Sequence, residues 1–566
     1  MTMALIEEPG LQAAARLSPM QRLRHRQLTQ ALPQVRTGGV RVERDIPVRM
    51  SDGTVLLTDH WAPAERHPDQ PVLLTRTPYG RDSFIAEARV FAERGHHVVV
   101  QSCRGHFGSG GTFDPFFTEA DDGLDCVAWL EAQPWFTGRI HTYGFSYVGL
   151  TQWALTRDTP ASVEAMVIGI SARSFLRSII HHRGGFGMET AVVWNLLLDG
   201  MEGSVLHQAR SALRGRRGVQ RGSDAIPPTR AVQTATGSDS PFFQDWLAHD
   251  GHDPWWQPVD FATVPESVPP LVLVAGWYDL FGHTQVEDFI ALRAAGRPVR
   301  LVAGPWTHVS QGLGPVAVQE SLRQLAGVEE AHDEPPVRIK PIGSSRWLDL
   351  DAWPPAGRAH TYHLHPGGAL RDDAPSGESK EGYRYDPADP TPMTGGRSLN
   401  PWTAGRKRQR ERERRSDVLC WTTDPLAVDT LVAGEVVANV VLSSSNPTVD
   451  LFLRLCEVDG KGRSWNIADG YVRVVDDGAA ERGVMGGPSH HEVRLGATAA
   501  LVRRGHRLRL QISSGAHPLH LRNSGNADGV HDFSRLVPSE QRVYLGPSGT
   551  SVVVPVADHL AGDDTA

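Results

Sequence analysis

Three side chains, distant in the chain, have the types needed to cleave an ester or amide: Ser146, Asp279 and His308. Such chemistry needs a base to take the serine proton, a carboxylate to orient that base, and donors to hold the oxyanion. Ser146 stands in "HTYGFSYVGLTQW", after the apolar run Ile140–Tyr143. Asp279 stands in "GWYD" after Leu271–Ala275, and His308 in "GPWTH" after Val299–Ala303. Taken alone, each is ambiguous. A strand–elbow–helix serine is usually written G-x-S-x-G, but here Val148 occupies the second glycine's place and Gly149 comes one residue late. A serine or aspartate can equally cap a helix, and one histidine among 25 is more often structural. What joins them is the order serine, acid, histidine, each beyond the end of an apolar run.

The elements that must position them follow from hydrophobic periodicity. "VERDIPVRMSDGTVLLTDHW" alternates around Asp52-Gly53 and reads as a hairpin. "PVLLTRTPYG" is a short apolar run ending in turn residues; "FIAEARVFAERGHHVVVQSCRG" is a helix, a Gly95 stop and a buried strand. "TEADDGLDCVAWLEAQPW" is a helix ending before Pro134. Alternating strands and helices predict a parallel sheet with helices on both faces. Residues 41–172 and 261–352 form this α/β catalytic domain, interrupted by a helical insertion at 173–260. Within it, "SFLRSIIHH" and "METAVVWNLLLDGM" read as helical and Arg210–Arg230 as basic and turn-rich. From 353 to 566 the period becomes two, as in "AGEVVANVVLSSS", "TVDLFLRLCEVD" and "HRLRLQISSG", which predicts an all-β sandwich with one wet face per sheet. Residues 1–40 are an arm with a basic amphipathic helix expected between about Leu11 and Leu32. "TAGRKRQRERERRSD" at 403–417, with its basic 406–415 stretch, reads as a solvated loop.

Bulk properties narrow the partners. Of 566 residues 22% are charged, and the net charge of −8 disfavours nucleic acid, which wants a basic face. No apolar run is long enough to span a bilayer and no signal peptide is evident, so no membrane partner is expected. The four cysteines are widely spaced, which suits reduced thiols in a cytoplasmic protein.

Five motifs, "VRMSDGTVLLTDHWAP", "RTPYG", "GFSYVGLTQW", "GWYD" and "GPWTH", resemble the family of cocaine esterase, the bacterial X-prolyl dipeptidyl peptidases, the α-amino acid ester hydrolases and the cephalosporin acylases. "RYDPADPTP" and "SDVLCWTT" extend the resemblance, which covers roughly 42–555. It implies an α/β-hydrolase core, a helical cap and a C-terminal jelly roll. It implies Ser146 as nucleophile, Asp279 as acid and His308 as base, with the Tyr79 hydroxyl and the Tyr147 N–H as the oxyanion hole. No metal or organic cofactor is implied. Three departures stand out: Ser102 replaces an aspartate two residues before Arg104, so a local ion pair is expected to be lost; the arm has no counterpart; and 310–337 looks altered at the site's rim.

The substrate expected is a small ester or amide, with a homo-oligomer compatible. Phe107, Phe175, Phe186, Trp194 and Phe281 are the candidates for an apolar acyl pocket. A substrate with a free α-ammonium would need carboxylates, for which Glu189, Asp199 and Glu202 are available, although solvated helix charges are the plainer reading. Open alternatives are an aminoacyl or X-Pro peptidase, a β-lactam acylase-type amidase, an acyltransferase using the same acyl-enzyme, and a non-catalytic binding protein.

Overall fold

The computed structural model describes residues 10–32, 35, 39–63, 70–263, 268–326, 334–475, 487–526 and 532–561. Strands β1 (Gln12–Ala13), β2 (Val40–Arg49) and β3 (Val55–Pro63) form one edge of an 11-stranded sheet. Its body is β4 (Val72–Thr77), β5 (Val98–Ser102), β6 (Ile140–Phe145), β7 (Val163–Gly169), β10 (Leu271–Gly276) and β11 (Val299–Gly304). All six of these strands are wholly buried but for single partly exposed residues in β6 and β7, as continuous apolar runs covered by helices should be. The order is β1-β2-β3-β5-β4-β6-β7-β10-β11-β12-β13, where β12 is Val337–Ile339 and β13 is Leu348–Leu350. The sheet is mixed, not purely parallel. Pairing is parallel from β5 to β12, but the Asp52-Gly53 hairpin docks antiparallel through β3 on β5, and β13 closes the other edge antiparallel. Between β4 and β6 the connections leave in opposite directions, which opens a crevice at their carboxyl ends.

The helices that cover the sheet are α2 (Ile85–Ala92), α3 (Glu119–Glu131), α4 (Tyr147–Leu155), α9 (Gly282–Ala294) and α10 (Leu313–Ala326). In the arm, β1 comes first and the helix α1 is shorter than expected, Pro19–Thr29. Ser18 and Gln21 form a capping box with Pro19 at the first helical position, which fixes where it starts. Arg24 pairs with Glu87 at 2.8 Å and His25 with Glu93 at 2.9 Å, so the arm is fastened to α2.

The insertion contains α5 (Met188–Met201), α6 (Val205–Ser223), α7 (Ala231–Thr236) and α8 (Pro241–Ala248). Two expectations need correction here. "SFLRSIIHH" makes only one π turn, Leu176–Ile180, before β8 (His181–His182) turns back on β9 (Gly185–Phe186). The turn is made by Arg183 and Gly184, both at positive φ, which a continuing helix forbids. Conversely, Arg210–Arg230 is mostly not turn but the second half of α6. Gly215, at φ +33° and ψ −129°, kinks α6, whereas Gly222 serves contact: a Cβ on it would lie 2.7 Å from the Ala231 carbonyl, so Gly222 lets α6 lie against α7.

From β14 (Arg358–His365) onward the chain is all β apart from short helical turns, with its strands linked by hydrogen bonds into a second 11-stranded network. The charged 403–417 segment is solvated only in part: Arg406, Arg408, Arg410, Glu411 and Arg414 are exposed, but Arg412 and Asp417 are buried. Arg412 is 1% exposed and donates to Gln511, Ser513 and the carbonyl of Gly515, with its guanidinium over Phe452. Glu413 accepts from Arg509 and Gln511. Of the polar face expected to be wet on the strand Arg507–Ser513, Arg509 and Gln511 are therefore covered by this segment, while Arg507 turns to the Thr423 carbonyl.

Candidate active site

The local fold around Ser146 explains the displaced glycine. Ser146 has φ +57° and ψ −125°, a conformation that only surrounding structure can enforce on a residue with a Cβ. It is held by its N–H on the Gly169 carbonyl at 3.0 Å and by α4, whose Gly149 and Leu150 amides donate to the Ser146 carbonyl. A Cβ on Gly144 would lie 2.1 Å from Val148 Cγ1, so Val148 fills the room that Gly144 leaves. A Cβ on Gly149 would lie 2.4 Å from Ser171 Cβ, so the late glycine is where α4 meets the chain after β7. The spacing G-x-S-x-x-G thus records a packing requirement on the first turn of α4.

Asp279 and His308 lie on adjacent loops. The Tyr278 N–H donates to the Trp306 carbonyl at 3.0 Å, and a Cβ on Gly276 would meet that carbonyl at 2.5 Å. Only glycine permits this approach, which brings His308 Nδ1 to 2.6 Å from Asp279 Oδ2. His308 Nε2 is 2.9 Å from Ser146 Oγ. Asp279 is wholly buried, and its other oxygen accepts the Phe281 N–H at 2.8 Å. With the carboxylate fixing the proton on Nδ1, Nε2 is left to accept the serine hydroxyl.

Tyr79 follows β4 and faces Ser146 across the crevice. Its hydroxyl oxygen accepts from Trp194 Nε1 at 3.3 Å, which leaves the phenolic O–H free to donate elsewhere. Burial raises the phenol's pKa although hydrogen bonds to Trp194, Ser146 and the Tyr147 N–H oppose it, so the group is neutral and a donor at ordinary pH. The Tyr147 side chain points elsewhere: its hydroxyl donates to Glu119 at 3.0 Å and accepts the Phe116 N–H. Only the Tyr147 backbone is in place to act beside Tyr79.

These groups open on a cavity of about 330 Å³. Phe175, Phe186, Trp194 and Phe281 line it, joined by Phe116 and Trp246, which sequence reasoning missed. Trp194 and Trp246 stack at 5.7 Å, and Phe116 stacks on Trp246 at 5.4 Å, giving a layered aromatic wall. Phe107 does not belong to it. It covers Gly80, where a Cβ would lie 2.8 Å from its ring.

The carboxylates considered for an ammonium also stand outside. Glu189 is fully buried and accepts from Ser398, Asn400 and Thr403, tying α5 to the β domain. Asp199 pairs with Arg214 and His207, and Glu202 with His106. The cavity's one lining carboxylate is Glu87, already paired with Arg24. Arg24 is the surprise, because it brings the arm to the cavity wall. The basic run "RLRHRQL" marked a helix but gave no sign of its destination. With Ser102 in the aspartate's place, Arg104 still holds Asp122 at 2.6 Å and Asp52 at 2.7 Å, and the Ser102 hydroxyl accepts from Arg81.

Two family profiles match the chain. That of the X-Pro dipeptidyl-peptidase (S15 family) covers residues 52–310, and that of the X-Pro dipeptidyl-peptidase C-terminal non-catalytic domain covers 329–554. Cocaine esterase of Rhodococcus sp. (strain MB1 Bresler) is 29% identical, with 92% of this chain and 99% of that protein aligned. An α-amino acid ester hydrolase superposes with TM-score 0.75 at 20% identity, covering 93% of this chain and 98% of the other. An aminopeptidase from a marine sediment archaeon, Thaumarchaeota archaeon, does so with TM-score 0.74 at 20% identity, covering 93% and 97%. The likeness in structure shows the same fold, an α/β core with a C-terminal all-β domain. Together the two profiles account for most of the chain, which belongs to the X-Pro dipeptidyl-peptidase (S15) family of serine hydrolases.

Proposed function

We propose that the protein is an esterase for small molecules with a bulky apolar or aromatic acyl group, acting through an acyl-enzyme on Ser146. The observation that carries this reading is the hydrogen-bonded series Asp279–His308–Ser146 opening on an aromatic cavity whose one carboxylate among the described lining residues, Glu87, is charge-paired with Arg24 through Oε1. His308 Nε2 takes the Ser146 proton as Oγ bonds to the carbonyl carbon. The carbonyl π electrons move to oxygen, where the Tyr79 O–H and the Tyr147 N–H receive the negative charge. As the tetrahedral adduct collapses, His308 gives its proton to the leaving alkoxide. Water then attacks the acyl-serine with His308 again as base, releasing the acid. Asp279 keeps the imidazole in the required tautomer throughout.

The same cavity speaks against an aminoacyl or X-Pro substrate. An α-ammonium buried among these rings would find only Glu87, whose charge Arg24 already offsets through Oε1 although Oε2 is unmet, while Glu189 lies behind the cap. The test is a series of p-nitrophenyl esters from acetate to benzoate set beside aminoacyl and X-Pro p-nitroanilides, with Ser146→Ala as control. Turnover should rise toward the aromatic acyl esters and fall by about 10⁴-fold or more in Ser146→Ala. Faster cleavage of X-Pro anilides than of any ester, or retained activity in the variant, would refute the reading.

A further inference from the structure

Behind the aromatic cavity lies a smaller one of about 50 Å³, sharing Ile179, Gly187, Thr190 and Leu280 as a common wall. All three parts of the protein meet there. The insertion supplies His182, the first turn of α9 supplies His283, and the β domain supplies Arg397 and His520. The rings are packed together: His182 lies edge-on to His283 at 4.7 Å, and His520 stacks on Tyr471 at 3.9 Å. Gly496, at φ +73°, makes room for this, since a Cβ there would meet Arg397 Nη1 at 2.7 Å and His283 Cβ at 2.8 Å.

Polar groups in this wall lack partners. His283 is 6% exposed, and neither of its ring nitrogens has a hydrogen-bond partner. His520 is 7% exposed with Nδ1 unmet. Buried polar groups left without a partner are destabilising, so an occupant that meets them is favoured. Arg397 donates only to the carbonyls of Asp469 and Leu495 and makes no ion pair among the described residues. Asp469 is itself in the cavity's lining but is engaged by Arg454, and the carboxylates further out are engaged by other arginines: Asp450 by Arg473, Glu287 by Arg183 and Glu435 by Arg494. With Asp469 offset by Arg454, Arg397 has no carboxylate of its own among the described residues. Burial first, then Arg397, His182 and Arg183, holds His283 well below the ordinary imidazole range, so its ring is neutral beside the Arg397 charge. No group of three or more His, Cys, Asp or Glu among the described residues is placed to hold a metal ion.

We propose that this cavity holds a small monovalent anion of halide size, bound by Arg397, His283 and His520, which fastens the insertion, the α/β core and the β domain to one another. The space suffices, since a water-sized occupant needs only about 10–15 Å³. Its position gives it a bearing on activity: Leu280, in the shared wall, lies between Asp279 and Phe281.

Two measurements on the wild-type protein test this. Crystals soaked in millimolar sodium bromide should show an anomalous peak in the cavity. The melting temperature, followed as chloride replaces gluconate at constant ionic strength, should rise saturably by about 2 °C. His283→Leu and Arg397→Met should each abolish both effects, and if either fails to fold, the wild-type results decide alone. A cavity holding only water, or superimposable melting curves in the two salts, overturns the proposal.

Discussion

Two fully buried carboxylates, Asp279 and Glu189, have opposite surroundings. Asp279 accepts from one backbone N–H and from an imidazole that can itself take a proton. Glu189 accepts from Ser398, Asn400 and Thr403, none of which titrates. The first arrangement lets charge move during a reaction. The second can only satisfy a charge that stays put, and it spans the seam between α5 and the β domain. Burial of an ionisable group therefore says little about its use; the protonation chemistry of its partners says more.

The sharpest way to break this contrast is to neutralise each carboxylate without changing its shape. Asp279→Asn should lower kcat by about 10⁴-fold, because an amide N–H facing Nδ1 forces the proton onto Nε2 and the base is lost. Glu189→Gln should leave kcat within about twofold. Similar losses in both variants would erase the distinction. The next effect in size belongs to the opposite side of the crevice. Tyr79→Phe should cost about 10²–10³ in kcat with folding unchanged, as expected for one lost oxyanion donor. Trp194→Phe, which removes the hydrogen bond that orients the phenol and trims one ring of the acyl wall, should cost about 5–10-fold. Equal losses from the two would mean that Trp194 acts through the acyl cavity and not through Tyr79.

On the Glu189 side the quantity to measure is stability. Glu189→Ala should destabilise the protein by about 1–3 kcal/mol, read from chemical denaturation, because Ser398 and Asn400 would be left as buried donors without an acceptor. If it is neutral, the seam is held by other contacts.

The same contrast runs through what could be read from the chain alone. The catalytic side was legible because strand ends are marked in sequence: an apolar run stops, glycines permit close loops, and Ser146, Asp279 and His308 each follow. Even the late glycine was a signal, explained by its contact with Ser171. The seam was not legible. Glu189, Arg412 and Arg24 sit on helices or turns whose charge pattern looks solvated, and their partners lie far off in sequence: Glu87 is 63 residues from Arg24, Gln511 99 from Arg412 and Asn400 211 from Glu189. Local periodicity reports that a face is polar, but not whether water or another polar face will cover it. Phe107 was misplaced for a related reason, since a position on the loop after β5 does not put its ring in the cavity, and it covers Gly80 instead.

The smallest expected effect is also the most specific to Glu189. Burial raises its pKa above the ordinary carboxylate value, although hydrogen bonds from Ser398, Asn400 and Thr403 oppose the shift. A raised folded-state pKa means that the folded protein keeps a proton which the unfolded chain has already released. That contribution is fully present below the unfolded pKa and is lost as pH rises through the folded one. Glutamine carries no such term. The melting temperature of Glu189→Gln relative to wild type should therefore climb as pH rises from the ordinary carboxylate range through the raised folded-state pKa, and then level off. Any fixed penalty from rearranged hydrogen bonds shifts the whole curve without bending it. Parallel melting profiles across this range would show that the three donors fully compensate the burial, and that Glu189 is held as comfortably ionised as a surface carboxylate.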